Sequence, residues 1–399
     1  MRQNNQVSYQ QIQLPFKIKK AVLALGSQTK NTLCFAKGNS ACLSRLRPDL
    51  DNPRDFSEFE REVKYFLKKN PRIIAYDLHP EYQSTKYIQS LSPRHHVTTS
   101  PIQHHHAHIA SCMAENGLVN QKVIGAAFDG TGLGSDNRLW GAEFFICDYK
   151  DFIRAAHLKE IPLLGGQRAI QEPWRLAAVW LYRLYKDKFL NLGIKFTQGI
   201  DRKEWRVLRQ MYLADFNSPP ASSMGRLFDA AASLILAKHK AGFEAELAIA
   251  LQKLVTSHKP PFDYAQGRQV TSHKSEAGGY NFKIIKKRNG CVIDPLPMFR
   301  EIVADLKAGA PKAEIAYRFH AAVARMLART CAILRKKYKI STVVLSGGVF
   351  QNNLLLRLSL DLLYKEDFQV VAHKNLSSND SGISLGQAVI AGIRGNLCV

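Results

Sequence analysis

Four histidines fall within five positions in the stretch Pro101-Ile102-Gln103-His104-His105-His106-Ala107-His108-Ile109-Ala110-Ser111. The residues from there through Cys112 and Met113 to Glu115 suit a helix. Thr99 or Ser100 is placed to cap it, and Asn116-Gly117 to stop it. On a helix His104 and His108 lie four apart and share a face. Two imidazoles one turn apart can bind one divalent metal, while His105 and His106 point elsewhere. Alone, such a pair reads sooner as a polar cluster on an exposed helix start than as a metal site. The glycine-rich segment about twenty residues later in the chain favours chemistry.

An apolar strand, Val123 to Phe128, runs into Asp129-Gly130-Thr131-Gly132-Leu133-Gly134-Ser135-Asp136. Glycines let a backbone approach phosphate, and successive N–H groups form an anion nest. The same residues suit a plain hairpin turn, with Leu139 to Ile146 as the returning strand, and both readings stay open. Strand to glycine loop to strand is not the dinucleotide-binding order of strand to helix. A second strand, Thr342 to Leu345, leads into Ser346-Gly347-Gly348-Val349-Phe350-Gln351-Asn352-Asn353. Strand, Gly-Gly turn and helix suit a nucleotide phosphate at a helix N-terminus, or a tight turn with no ligand. Near the C-terminus, Asp380 in Asn379-Asp380-Ser381-Gly382 is either a helix cap or a carboxylate ligand.

Between these stretches the chain alternates short strands and helices. Residues 1–20 read as a linker. A hairpin comes next: Ala21 to Leu25, a polar tip bearing Lys30, then Leu33 to Ala36 with a turn at Lys37-Gly38-Asn39. A helix over Phe56 to Lys68 precedes a buried strand, Arg72 to Asp77. The middle is mostly helical, with Glu172-Pro173-Trp174 and Met224 to Asp229 at helix starts. Val255-Thr256-Ser257-His258-Lys259 recurs as Val270-Thr271-Ser272-His273-Lys274, which reads as an inserted surface loop over 255–275. A long helix, about Ala313 to Lys337, contains His320.

The net charge of +23 favours an anionic partner, though no nucleic-acid-binding signature accompanies it and nucleic acid is not expected. The seven cysteines form no CxxC pair, which argues against a zinc ribbon or thioredoxin-like site; Cys398 is read as exposed, without a role. No apolar run reaches membrane-span length, and the N-terminus lacks a signal-peptide core, so a soluble cytoplasmic protein without membrane partners is expected.

These blocks together resemble the Kae1-like domain of the hydrogenase-maturation carbamoyltransferase HypF. The match runs from Leu23-Ala24-Leu25-Gly26 and Lys30-Asn31-Thr32 through Asp77 to Tyr82, Gln103 to Ser111, Asp129 to Glu143, Arg168 to Arg175 and Gly225 to Ala230. It closes with Ser346 to Asn353 and Asn379 to Ala388. The resemblance implies an α/β, actin-like ATPase (ASKHA, Kae1-like) bilobed fold with two mixed-sheet subdomains around a nucleotide cleft. Expected boundaries are a linker at 1–20, subdomain I at 21–120, subdomain II at 121–381, and a C-terminal helix, 382–399, packing back on subdomain I.

The resemblance further implies a metal, iron or zinc, on His104, His108 and Asp380, with His104, His108 and Asp129 as catalytic residues. Lys30, Gly130, Thr131, Gly132, Gly347 and Gly348 would bind the nucleotide, Asp229 would contact the ribose and Asn352 would lie near the base. The implied reaction moves the carbamoyl group of carbamoyl-adenylate to the C-terminal cysteine thiol of HypE, for cyanide ligand synthesis. Full-length relatives begin with acylphosphatase, zinc-finger and YrdC-like domains, none of which is in this sequence, so a separate YrdC-like chain is expected to make the carbamoyl-adenylate from ATP. Two alternatives are a tRNA threonylcarbamoyl transferase of the Kae1 branch and a non-catalytic nucleotide-binding remnant. Ala245, Gln252 and Asn137 stand where relatives usually have glycine, glutamate and glycine.

Overall fold

The computed structural model describes residues 9–91, 97–257, 262–263, 268–269, 280–288 and 290–397. Cys398, residues 1–8 of the expected linker, and most of the repeat-flanked 255–275 segment lie outside them. The chain forms two compact units: residues 1–155, 333–351 and 367–399 make the first, and 156–332 with 352–366 the second.

In the first unit a four-stranded sheet and four strands of a nine-stranded sheet share one plan. In one, the strands run in the order Cys34–Leu43, Gln10–Ala24, Ile73–Asp77, Thr98–Ile102. The first pair is antiparallel and the next two pairings are parallel. In the other, Leu139–Cys147 pairs antiparallel with Val123–Leu133, which pairs parallel with Thr342–Ser346, and that with Gln369–Ala372. Each plan is a hairpin extended by parallel strands, so the second sheet needs strands from distant parts of the chain. That is why residues beyond 333 return to the first unit.

The first strand begins at Gln10, so residues 10–20 are strand and not linker. Ile12, Leu14 and Ile18 are buried while Gln11, Gln13, Lys17 and Lys19 are not, the alternation of a half-buried strand. Pro15 and a register shift between Gln13 and Ile18 interrupt the pattern, which hides it in the sequence. Its partner runs through Gly38 to Leu43 instead of turning there.

The C-terminal helix, Ile383–Leu397, packs onto this sheet and onto the helix His104–Glu115. A Cβ at Gly386 would sit 1.9 Å from the Ala107 carbonyl oxygen, so only glycine permits this helix contact. The buried Gln387 amide pairs with the Gly26 backbone, accepting from its N–H at 2.8 Å and donating to its carbonyl at 3.2 Å. Each fully buried Leu or Ile in this core contributes about 1.5–3 kcal/mol.

The second unit is mainly helical. Trp174–Tyr185 is buried on nearly every side, and its Trp180 stacks on Phe299 with centroids 5.6 Å apart. Met224–Leu236 starts at Ser223, whose hydroxyl accepts from the Arg226 N–H. Arg202–Leu213 starts in a similar way at Asp201, whose carboxylate accepts from the Lys203 N–H.

Candidate metal centre

The histidine helix starts at His104, two residues beyond the end of the strand Thr98–Ile102, so Thr99 and Ser100 are strand residues and not caps. Gln103 is the cap. Its Oε1 accepts from the His106 N–H at 2.8 Å, and its Nε2 donates to the Leu133 carbonyl at 3.0 Å. The helix is buried from His104 through Ala114, so this is no exposed helix start.

His104 Nδ1 lies 2.7 Å from Oδ2 of Asp77, the last residue of its strand. That bond places the proton on Nδ1 and leaves the Nε2 lone pair free to face the site. His104 Nε2 stands 3.5 Å from Asp129 Oδ2 and 3.7 Å from Asp380 Oδ1. His108 Nε2 stands 3.8 and 3.6 Å from the same two atoms. All four ligand atoms lie within 4.8 Å of one another. Ligands about 2.0–2.2 Å from a common tetrahedral ion stand about 3.3–3.6 Å apart, so the spacing suits one ion. Neither Nε2 atom has a hydrogen-bond partner among the described residues, although both are buried.

Asp380 opens a short helical turn, but the cap is Asn379, whose Oδ1 accepts from the Ser381 N–H at 3.0 Å. The Asp380 carboxylate is thereby left for the histidines. Thr32 anchors the turn by donating to the Ser381 carbonyl at 2.8 Å. Asp129 turns its other oxygen to the Gly348 N–H, at 3.1 Å. Gly347 has φ +104°, and a Cβ there would lie 2.2 Å from the Phe128 carbonyl oxygen. The Gly-Gly turn therefore presses against the strand that carries Asp129.

Charge in the cluster is unbalanced. Burial pushes the His104 imidazole toward neutrality, but the Asp77 and Asp380 carboxylates, with Asp129 close by, outweigh it and raise its pKa well above the ordinary histidine value. Burial likewise opposes the charge on His108, and Asp129 and Asp380 raise its pKa. Burial would raise the Asp129 and Asp380 carboxyls, yet the two histidines hold Asp129 well below its ordinary value and Asp380 lower too. Three carboxylates, Asp77 and Asp129 buried and Asp380 half-buried, around two imidazoles favour added positive charge, and a dication supplies it without protonating the Nε2 atoms.

A family model for the carbamoyltransferase Kae1-like domain, second subdomain, matches residues 125–387, and the HypF Kae1-like domain model matches residues 17–115. The chain belongs to the HypF family. It is 33% identical over 387 residues to carbamoyltransferase HypF2 of Cupriavidus necator, covering 93% of this chain and 46% of that one. A carbamoyltransferase HypF homolog of the same organism is 33% identical over 375 residues, covering 93% and 91%. The crystal structure of full-length HypF in a phosphate- and nucleotide-bound form aligns with TM-score 0.85 and 36% identity, over 96% of this chain and 57% of that one. The T. kodakarensis HypF structure aligns with TM-score 0.81 and 28% identity, over 97% and 49%. The chain thus spans about half the length of HypF2, at 46%, and of the Synechocystis sp. HypF, at 48%. Its fold is the α/β, Kae1-like fold of the family.

The remaining motif residues of this HypF-family chain divide between the two units. Gly130, Thr131 and Gly132 belong to the strand Val123–Leu133, which carries on past Asp129, so they do not form a loop. A Cβ at Gly132 would lie 2.7 Å from both His104 Cδ2 and His105 Cε1. Lys30 lies in the strand Thr29–Asn31 with φ +50°. Asp229 and Asn352 lie in the second unit and are not part of the cluster. Asp229 is buried 2.8 Å from Arg226 Nε, misaligned for a hydrogen bond, and burial raises its pKa despite that arginine. Asn352 caps the helix Asn353–Lys365, accepting from the Leu355 N–H at 2.9 Å, and its Nδ2 meets His320 Nε2 at 3.0 Å.

Sequence reasoning missed the roles of Asp77 and Gln103. A lone carboxylate closing the apolar run Ile73–Tyr76 was the available signal for Asp77. Asn137 and Ala245 adopt φ +61° and +60°, a left-handed backbone that glycine takes without strain.

Proposed function

We propose that this chain carries out the carbamoyl-transfer step of HypF-type chemistry, from carbamoyl-adenylate to a protein thiol. The observation that carries this reading is the buried cluster of two imidazoles with unpartnered Nε2 atoms and two carboxylates, beside the Gly347-Gly348 turn. His104, His108 and Asp380 would hold one divalent metal, iron or zinc, with Asp129 completing the set. Such an ion, when bound, acts as a Lewis acid on a carbonyl or phosphoryl oxygen. Asp77 keeps His104 in the tautomer that presents Nε2. The Gly347-Gly348 turn and the glycine strand around Gly130, Thr131 and Gly132, with Lys30, receive the phosphate. The phosphate- and nucleotide-bound state of the solved HypF relative supports this. Asp229 and Asn352 are assigned to ribose and base on their motifs alone.

In the reaction the acceptor thiolate attacks the carbamoyl carbon. The C–S bond forms, the C–O bond to the phosphate breaks, and AMP leaves with that electron pair; the thiol proton is lost before attack. The acceptor is a HypE-like maturation protein with a C-terminal cysteine, in hydrogenase cyanide synthesis, and a YrdC-like activity supplies the donor. The test mixes the metal-loaded chain with such an acceptor and preformed carbamoyl-adenylate, and reads the acceptor's intact mass. One carbamoyl adduct with the native chain, and none with His104→Ala or His108→Ala, is expected. No adduct from a chain that holds both metal and nucleotide would overturn the reading.

A further inference from the structure

We propose that His105 donates its Nε2 proton to an oxygen of the group bound at the His/Asp cluster. The proposal rests on the metal and nucleotide reading above and adds a ligand-contacting residue to it. Its starting point is the orientation of Gln103. Gln103 Oε1 accepts from the His106 N–H, so the other end of the amide is the donor. That Nε2 donates to the Leu133 carbonyl at 3.0 Å and reaches His105 Nδ1 at 3.1 Å. An amide N–H cannot accept, so His105 Nδ1 is the lone-pair nitrogen, and the neutral ring carries its proton at Nε2.

That N–H has no acceptor among the described residues, although the ring is buried. Two other buried histidines give their proton to a carbonyl: His106 Nε2 to Asp148 at 2.6 Å, and His320 Nδ1 to Ala316 at 2.7 Å. His105 does not, and a buried donor without an acceptor costs stability. Its ring centroid lies 5.3 Å from that of His104 and 6.4 Å from that of His108. Its Cε1 sits over Gly132, on the strand that carries Asp129. Trp140, with its ring centroid 6.3 Å from that of His105, has a second buried N–H without a partner. An unaccepted donor on a ring beside the His104 and His108 rings, with a second near that ring, suits a phosphoryl or carbonyl oxygen. Because its lone pair is engaged by Gln103, His105 does not compete with His104 and His108 for the ion.

The test compares the native chain with His105→Phe, which keeps a ring and loses the donor, and His105→Gln, which offers an amide N–H. Zinc affinity is measured first, then affinity of the zinc-loaded proteins for inorganic phosphate and for carbamoyl phosphate. In His105→Phe, zinc binding within about threefold of native and anion binding weakened about tenfold or more are expected, with partial recovery in His105→Gln. Equal losses for both anions identify a phosphoryl oxygen, and loss for carbamoyl phosphate alone a carbamoyl oxygen. Native-like anion binding in His105→Phe overturns the proposal. So does joint loss of zinc and anions that His105→Gln does not restore. A native chain that binds no zinc overturns the proposed function instead. The ring-nitrogen NMR signal of His105 then decides separately: it shifts on adding phosphate if the proposal holds and stays still if it fails.

Discussion

His104 and His108 in the first unit and His320 in the second are all buried imidazoles, yet their surroundings are opposite. His320 spends both nitrogens inside the protein, on the Ala316 carbonyl and the Asn352 amide, and burial lowers its pKa to about 4. It is a neutral strut between a long helix and the cap of the next. The cluster histidines keep Nε2 unpartnered and face two carboxylates, which raise their pKa values against burial. Burial alone therefore does not separate a structural histidine from a candidate ligand; accounting for each ring nitrogen does.

The largest expected contrast comes from removing one histidine of each kind. His108→Ala should weaken zinc binding at least about a hundredfold, and His320→Gln should leave it within about threefold, as measured by competition with a chelator. Equal losses would erase the distinction. A change one shell out sharpens it: Asp77→Asn removes the carboxylate that orients His104 and should lower zinc affinity about 10–100-fold while the fold is retained by circular dichroism. On the structural side, Asn352→Ala removes a helix cap and strands His320 Nε2. A loss of about 1–2 kcal/mol in denaturant unfolding is expected, with zinc binding unchanged.

A pH-dependent test addresses the far end of the histidine helix. Burial would raise the Glu115 carboxyl, but a hydrogen bond from His373 and the N–H groups of Asn375 and Leu376 bring it down to about 2. A folded pKa below the unfolded one means that this contribution is complete above the ordinary glutamate value, about 4.3, and is lost as pH falls toward 2. Glu115→Gln should therefore be less stable than native at neutral pH, with the gap in melting temperature closing on acidification. A gap independent of pH would refute the ionised role. The smallest effect is expected at the left-handed Ala245, where Ala245→Gly should raise stability by about 0.5–1 kcal/mol in the same unfolding assay.

Much of the candidate site is legible in the amino-acid sequence. The spacing of His104 and His108 needs only helix geometry to place both on one face, and the family blocks point to Asp129 and Asp380. Asp380 could not be resolved from a cap by sequence, because Asn379 offers the same capping chemistry one residue earlier. Asp77 escapes notice because its importance is a 2.7 Å contact to a residue 27 positions away. The helix start is misplaced by sequence because Gln103, a less usual cap, does the work expected of Thr99 or Ser100.

By itself the sequence determined the α/β alternation, the histidine helix and its stop at Asn116-Gly117, the strand leading to Asp129, and the Gly347-Gly348 turn. These come from periodicity, caps and glycine, which act over a few residues. Tertiary structure alone decided that the strand beginning at Gln10 pairs across Pro15, and that strands 342–346 and 369–372 complete a sheet begun at 123. It also decided that Asp77 meets His104, 27 positions away. Those outcomes depend on which backbone edges and side-chain atoms meet across long sequence separations, and local pattern carries no record of such meetings.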